Sequence, residues 1–360
     1  MITNTNTNTN TSTATTRLAR LGFLTACVAA LAACGGGGSD ASMNNPTPSP
    51  APTPAPAAPA PAPAPASTVP VGTTQTTPTY TEGSAQAQIF ASINAYRAQC
   101  GFPAYQQNTI LDQAATNHAN YMIANGNVIT DDEVQGNPGF TGATGQDRAN
   151  ALGWPTDVFA GASDAGAIYT NATLTQAQYG QSMVDAWSAG VYHQATIAFP
   201  ASLIGVGVAQ TTLTAFPEVL GGVELAESST TIANVTTANN PLTFPCQGVT
   251  GVPYEEVSEE PTPPNTSGAW GTPITVMGNP TDVIALSSAT MLAIGDSDPI
   301  TLNILTKAND TTGLIGQYQA VAYPLAPLLP NTTYSVSLTG TVNGVSFTRS
   351  FTFTTGTAAG

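Results

Sequence analysis

Few side chains in this 360-residue chain can do acid–base or nucleophilic chemistry, and their scarcity narrows the choices. There are two histidines, His118 and His193, and four cysteines, Cys27, Cys34, Cys100 and Cys246. Histidine is the usual general base near neutral pH. His118 lies on the apolar side of a stretch with helical spacing, where a histidine is most often a core residue tied to a backbone carbonyl. Serine is plentiful, so a Ser–His–Asp triad stays open. No G-x-S-x-G elbow occurs, however, and no Cys–His pair is available once Cys100 is bridged. Hydrolysis is therefore weakly supported from the residues alone.

The cysteines divide by position. Arg17 and Arg20 precede an apolar run of about a dozen residues, which is a signal peptide in form; a membrane-spanning helix needs about 20. The run ends in Leu31-Ala32-Ala33-Cys34 and then Gly35 to Gly38. That is similar to a lipobox, so residues 1–33 are expected to leave as a signal, taking Cys27, and Cys34 to be acylated. Buried methylenes contribute about 0.8 kcal/mol each to such an anchor. Gly35 after the cysteine, rather than Asp, points to an outer-membrane destination. Cys100 and Cys246 remain, and in an oxidising compartment they are expected to pair.

Once the signal is gone, four basic residues (Arg97, Arg148, Lys307, Arg349) face 21 acidic ones, a formal charge of −17. Such a surface repels phosphate backbones and anionic headgroups, so no nucleic-acid partner is expected and membrane attachment must come from lipid.

The elements that must position these residues read as follows. Residues 34–83 form a Gly-, Pro/Ala- and Thr-rich stalk, whose Pro-Ala tract in polyproline II could span ~65 Å. Helices are expected near 84–99, 109–125 and 175–189, from apolar spacing and from the stops at Gly101 and Asn125-Gly126. Strand-like runs follow at 203–209 and 216–225. An acidic, proline-rich linker, 251–267, separates this first domain (84–250) from a second (268–356). The second has about seven short alternating runs and an Asn343-Gly344 hairpin signal, which suggest an all-β immunoglobulin-like sandwich acting as a spacer. The fold class is α+β followed by all-β.

Ile93-Asn94-Ala-Tyr96-Arg97, Leu111 to Met122, Gly136 to Gly142, Trp187 to His193 and Leu203 to Gly207 occur in the order found in the CAP superfamily (cysteine-rich secretory proteins, antigen 5, pathogenesis-related 1), also called SCP-like. The chain resembles that family over about 130 residues, and the resemblance implies an α-β-α sandwich with a central cleft. In the family a histidine and acidic residues surround the cleft, and in some members a divalent metal sits between two histidines. Carried over, His193 matches the later histidine, Asp131 stands where the earlier one is expected, Glu133 matches an acidic position, and Asp157 falls at the cleft glutamate.

One imidazole with these carboxylates is a hard donor set, so His193 and Asp131 would take Ca²⁺, Mg²⁺ or Mn²⁺ rather than Zn²⁺ if the cleft holds a metal; a cleft without metal is the alternative. The resemblance implies extracellular, non-enzymatic binding of a lipid, a sterol-like molecule or another small apolar ligand. The competing readings are a hydrolase acting on peptide or cell-wall material, and a structural surface protein with a degenerate cleft.

Overall fold

Successive apolar residues of two antiparallel strands, Leu203–Leu213 and Phe216–Ser228, face opposite sides, and helices cover both sides. This description comes from a computed structural model and covers residues 68–228 and 235–360. The expected signal peptide, Cys34 and the Pro/Ala tract lie outside the described residues. All the described residues belong to one compact unit.

In chain order the first half contains helix α1 (Ala85–Gln99), strand β1 (Gln106–Gln107), helices α2 (Thr109–Ala124) and α3 (Gly145–Ala151), strand β2 (Val158–Tyr169), helices α4 (Gln176–Ala189) and α5 (Val191–Ile197), and strands β3 (Leu203–Leu213) and β4 (Phe216–Ser228). The sheet order is β1-β3-β4-β2, with β1 parallel to β3 and the other pairs antiparallel. Ile89 and Ile93 of α1 join Met183, Val184 and Trp187 of α4, and Ile204, Val206 and Val223, in one buried cluster. On the opposite face Leu111 of α2 packs with Ala149, Leu203 and Ala226. The result is three layers, helix, sheet, helix. Glycine lets α2 lie close to the sheet: a Cβ at Gly205 would stand 2.0 Å from the Leu111 backbone, and one at Gly207 would stand 2.1 Å from Ala115.

The three long helices fall where apolar spacing places them, and side chains cap them. Ser84, Asn108 and Thr175 accept bonds from first-turn N–H groups. Residues 74 and 80, expected to lie in the stalk, are instead packed on the folded part. Tyr80 donates to Asp112 Oδ1 at 2.5 Å and meets the Phe90 ring at a tilt of 52°, while Thr74 forms a β-bridge with Asn108.

The second half contains β5 (Leu242–Phe244), β6 (Thr250–Val252), β7 (Ile274–Met277), β8 (Ile284–Ala293), β9 (Ile300–Thr301), β10 (Asn303–Thr306), β11 (Gln319–Tyr323), β12 (Thr333–Val342) and β13 (Val345–Thr355). They form two sheets, β10-β11-β7-β5 and β6-β13-β12-β8-β9, which share one buried cluster including Val276, Ala320, Met291, Val336 and Phe353. The β12–β13 turn is the expected one, with Asn343 and Gly344 both at positive φ.

The boundary expected at 250 does not separate two bodies. β5 and β6 lie before or across it yet pair with β7 and β13. Cys100, Phe102 and Ala198 of the first half belong to the second half's core. The Cys100–Cys246 disulfide closes a separation of 146 residues at the same place. A loop of that length contributes roughly 5 kcal/mol in the chain-entropy account. The expected linker, 251–267, is also structured: Glu256 and Trp270 exchange backbone hydrogen bonds.

Candidate functional site

A cleft of about 760 Å³ is lined by the loop at 129–132, the second half of β2, one face of α4, His193, residues 256–262, Leu314 and Gly360. Its apolar lining includes Ile129, Ile168, Tyr169, Val257 and Leu314, with the buried Met183 and Trp187 beneath. Trp187 is held by its indole N–H, which donates to the Ala165 carbonyl at 3.2 Å. Its acidic lining is Asp131, Asp132, Glu256, Glu259 and Glu260. His193 lines the same cleft, its side chain 22% exposed.

His193 is on α5, which starts directly after α4 because Gly190 at the junction turns the chain with extended backbone angles. No side chain larger than hydrogen fits there: a Cβ on Gly190 would lie 2.7 Å from both Glu259 Oε1 and His193 Cδ2. The Nδ1 of His193 meets Asp164 of β2, and its Nε2 faces Glu259 Oε1 at 3.9 Å. Glu259 also accepts the first-turn N–H groups of α5, from Val191 at 2.7 Å, Tyr192 at 2.7 Å and His193 at 2.8 Å. These groups have no partner within the helix, so a buried carboxylate on them meets a standing need.

Burial works to lower the His193 pKa, but the charge of Asp164, its hydrogen bond, and the further carboxylates of Glu259 and Asp131 push it up to about 10. The imidazole is therefore a cation at neutral pH. Asp131 goes the other way for a carboxylate. Its residue touches solvent, but its carboxyl is crowded by protein and by Asp164, and its pKa is pushed up to about 7. Burial also raises Glu259 and Glu256, against the opposing charge of His193. Asp164 Oδ2 is buried with no hydrogen-bond partner.

A second polar group lies behind the loop. Arg148, fully buried, donates from Nε and Nη2 to Glu224 Oε1 at 2.9 and 2.6 Å, and from Nη1 to the Asp131 carbonyl at 2.9 Å. It thus fixes the loop that carries Asp131. His118 lies beside this group, with Nδ1 3.1 Å from Glu133 Oε1 and Nε2 2.5 Å from the Thr130 carbonyl. It is the buried, carbonyl-bonded histidine expected of α2.

Of the residues expected around the cleft, His193 and Asp131 come together there and two do not. Glu133 is buried beside His118, where its carboxylate accepts the N–H groups of Thr141 and Gly142 and orders the loop. Asp157 is exposed just ahead of β2 and lines no part of the cleft. The carboxylates that do meet His193 are Asp164 and Glu259. Neither carried a sequence signal, Asp164 lying in a Gly/Ala-rich stretch and Glu259 in the acidic, proline-rich segment.

The donor set does not suit a metal. Each ring nitrogen of His193 is turned to a carboxylate, and no group of three or more His, Cys, Asp or Glu side chains is arranged to hold an ion among the described residues.

No curated protein and no solved structure matches the chain. Residues 90–216 match the family model described as Cysteine-rich secretory protein family, which supports a CAP-superfamily domain in this part of the chain.

Proposed function

We propose that the mature chain is an exported lipoprotein, held at the outer membrane through acylated Cys34, whose CAP domain binds a small amphiphile without turnover. The ligand is a lipid or sterol-like molecule with an apolar body and a head that donates hydrogen bonds. The observation that carries this reading is the mixed lining of the cleft, in which exposed apolar side chains, Ile129, Tyr169, Val257 and Leu314, stand with five carboxylates. Apolar burial supplies the affinity, about 25 cal/mol per Å², and a few polar groups fix orientation. The state of His193 favours binding over hydrolysis. An imidazolium with a pKa of about 10, faced by carboxylates at both nitrogens, has no basic nitrogen to offer a nucleophile near pH 7.

The test is native mass spectrometry of the mature protein with dodecylamine, dodecanoic acid and cholesterol, each in turn. Retention of dodecylamine or cholesterol over dodecanoic acid, reduced in Asp164→Asn, is expected. Retention of none of the three by the wild-type protein would overturn the reading.

A further inference from the structure

The helix that carries His193 is held on one side by the C-terminal half. Val191, Tyr192 and Ala195 of α5 form one buried cluster with Trp270, Leu305, Val321 and Tyr323. The polar bonds run the same way. Gln194 Nε2 donates to the carbonyls of Ser188 and Pro273 at 2.8 and 3.0 Å, and its Oε1 accepts from Thr275 N and Oγ1 at 3.0 and 2.7 Å. Gln319 Nε2 donates to the Ala195 carbonyl at 2.9 Å, and the Trp270 indole N–H to the Ala189 carbonyl at 3.2 Å. All four of these side chains are buried. A spacer joined by a loose linker needs none of this.

Glu259 completes the arrangement from the segment between the halves. Its two oxygens divide the work: Oε2 takes the Val191 N–H, while Oε1 takes those of Tyr192 and His193 and faces His193 Nε2. Every group turned toward this carboxylate is a donor. An amide in its place would present an NH₂ to a donor on one side, so glutamine is a poor substitute despite its equal size. The same segment, residues 256–262, forms part of the cleft wall.

We infer that Glu259 is a positioning residue of the cleft, and that the C-terminal β-sandwich through Trp270, with the segment before it through Glu259, holds α5 and the His193 ring in place. The sandwich is then a built part of the binding site, and the cleft depends on it. This goes beyond the binding reading, because the orientation of His193 is decided whether or not a ligand is present.

The experiment uses the full mature chain carrying Glu259→Gln or Trp270→Phe. Two-bond ¹H–¹⁵N spectra of the His193 imidazole and hydrogen exchange of the Val191, Tyr192 and His193 amides are followed beside dodecylamine retention. Glu259→Gln is expected to move the imidazole resonances, to speed exchange of the three amides at least tenfold, and to weaken amine retention. Trp270→Phe keeps most of the apolar fill but loses the indole bond to Ala189, and is expected to move the same resonances by less. Unmoved imidazole resonances with protected amides in Glu259→Gln would overturn the inference. If that variant does not fold, Trp270→Phe decides alone, and unmoved resonances there overturn it. Wild-type protein that retains no amine counts against the binding reading only, since the imidazole and exchange readouts still stand.

Discussion

His118 and His193 each turn Nδ1 to a buried carboxylate, yet their pKa values move in opposite directions. For His118, burial lowers the pKa and the Arg148 cation lowers it further, and the Thr130 carbonyl and Glu133 do not make up the difference. For His193, burial also lowers, but Asp164, Glu259 and Asp131 overcome it. One imidazole–carboxylate contact therefore does not set the charge of a histidine. The next shell does, and here it differs in sign, with a guanidinium behind the first and carboxylates around the second. The first arrangement braces the fold, and the second makes a fixed cation in a cleft.

The sharpest way to break this contrast is Arg148→Met. Glu224 is buried, its pKa is already raised by burial against the opposing Arg148, and its Oε2 has no partner. Removing the cation strands that carboxylate, at a cost of about 3–5 kcal/mol. The same change removes a positive neighbour from His118, whose pKa should rise toward the behaviour of His193. Thermal unfolding measures the first effect and an NMR titration of His118 the second. An unmoved His118 titration would show that Arg148 does not decide its charge.

Glu133→Ala comes next. Glu133 accepts from Thr141 N at 2.5 Å, Thr141 Oγ1 at 3.1 Å and Gly142 N at 3.2 Å, as well as meeting His118. Leaving such buried donors unsatisfied costs about 1–3 kcal/mol. Urea unfolding should show that loss, with dodecylamine retention reduced less than in Asp164→Asn, because Glu133 touches the cleft only through the loop. A loss of retention as large as that of Asp164→Asn in a protein still folded would return Glu133 to the site.

What the sequence could and could not disclose follows the same division. α1, α2 and α4 each bury one stripe and were legible from spacing alone. So were His118 as a core residue and the Asn343-Gly344 turn, because each depends on local pattern. β2 was not legible: its Gly161-Ala-Ser-Asp-Ala-Gly-Ala167 core has little β propensity and is a strand because β4 pairs with it along its length. α3 left a trace, Thr144 and Asp147 capping each other, but is too short to show apolar spacing. Glu259 left none. Its partners are backbone N–H groups 66–68 residues away, and no composition rule distinguishes such a glutamate from a solvated linker charge.

Stability against pH gives the two histidines opposite limbs. The folded pKa of His193 is raised from 6.5 to about 10, so its contribution is complete below about pH 6.5 and is lost as pH rises through 10. Asp131, raised from 3.8 to about 7, adds a fall between those two values, because the native state holds its proton longer than the unfolded chain. The folded pKa of His118 is lowered, so its contribution is present above 6.5 and is lost as pH falls below it. Urea midpoints from pH 5 to 10.5 should therefore lose the alkaline fall in His193→Gln and the His118 part of the acid-side loss in His118→Gln. An alkaline fall of full size in His193→Gln would assign it to the tyrosines instead.

The smallest effect expected is that of Asp157→Asn, which separates the position implied by family resemblance from the position the strand provides. Asp157 precedes β2 and Asp164 lies seven residues later, under His193. At about 3.3 Å per residue the two carboxylates are roughly 20 Å apart, beyond the ~8 Å over which exposed charges act at physiological salt. Asp157→Asn should leave the His193 imidazole resonances in place and amine retention within about twofold of wild type, below one RT unit of coupling. Asp164→Asn removes the charge that does most to keep the ring protonated, and should move both. If the two variants act alike, the cleft responds to the total charge of the acidic surface and not to a placed carboxylate, and the contrast between the two histidines would then rest on Arg148 alone.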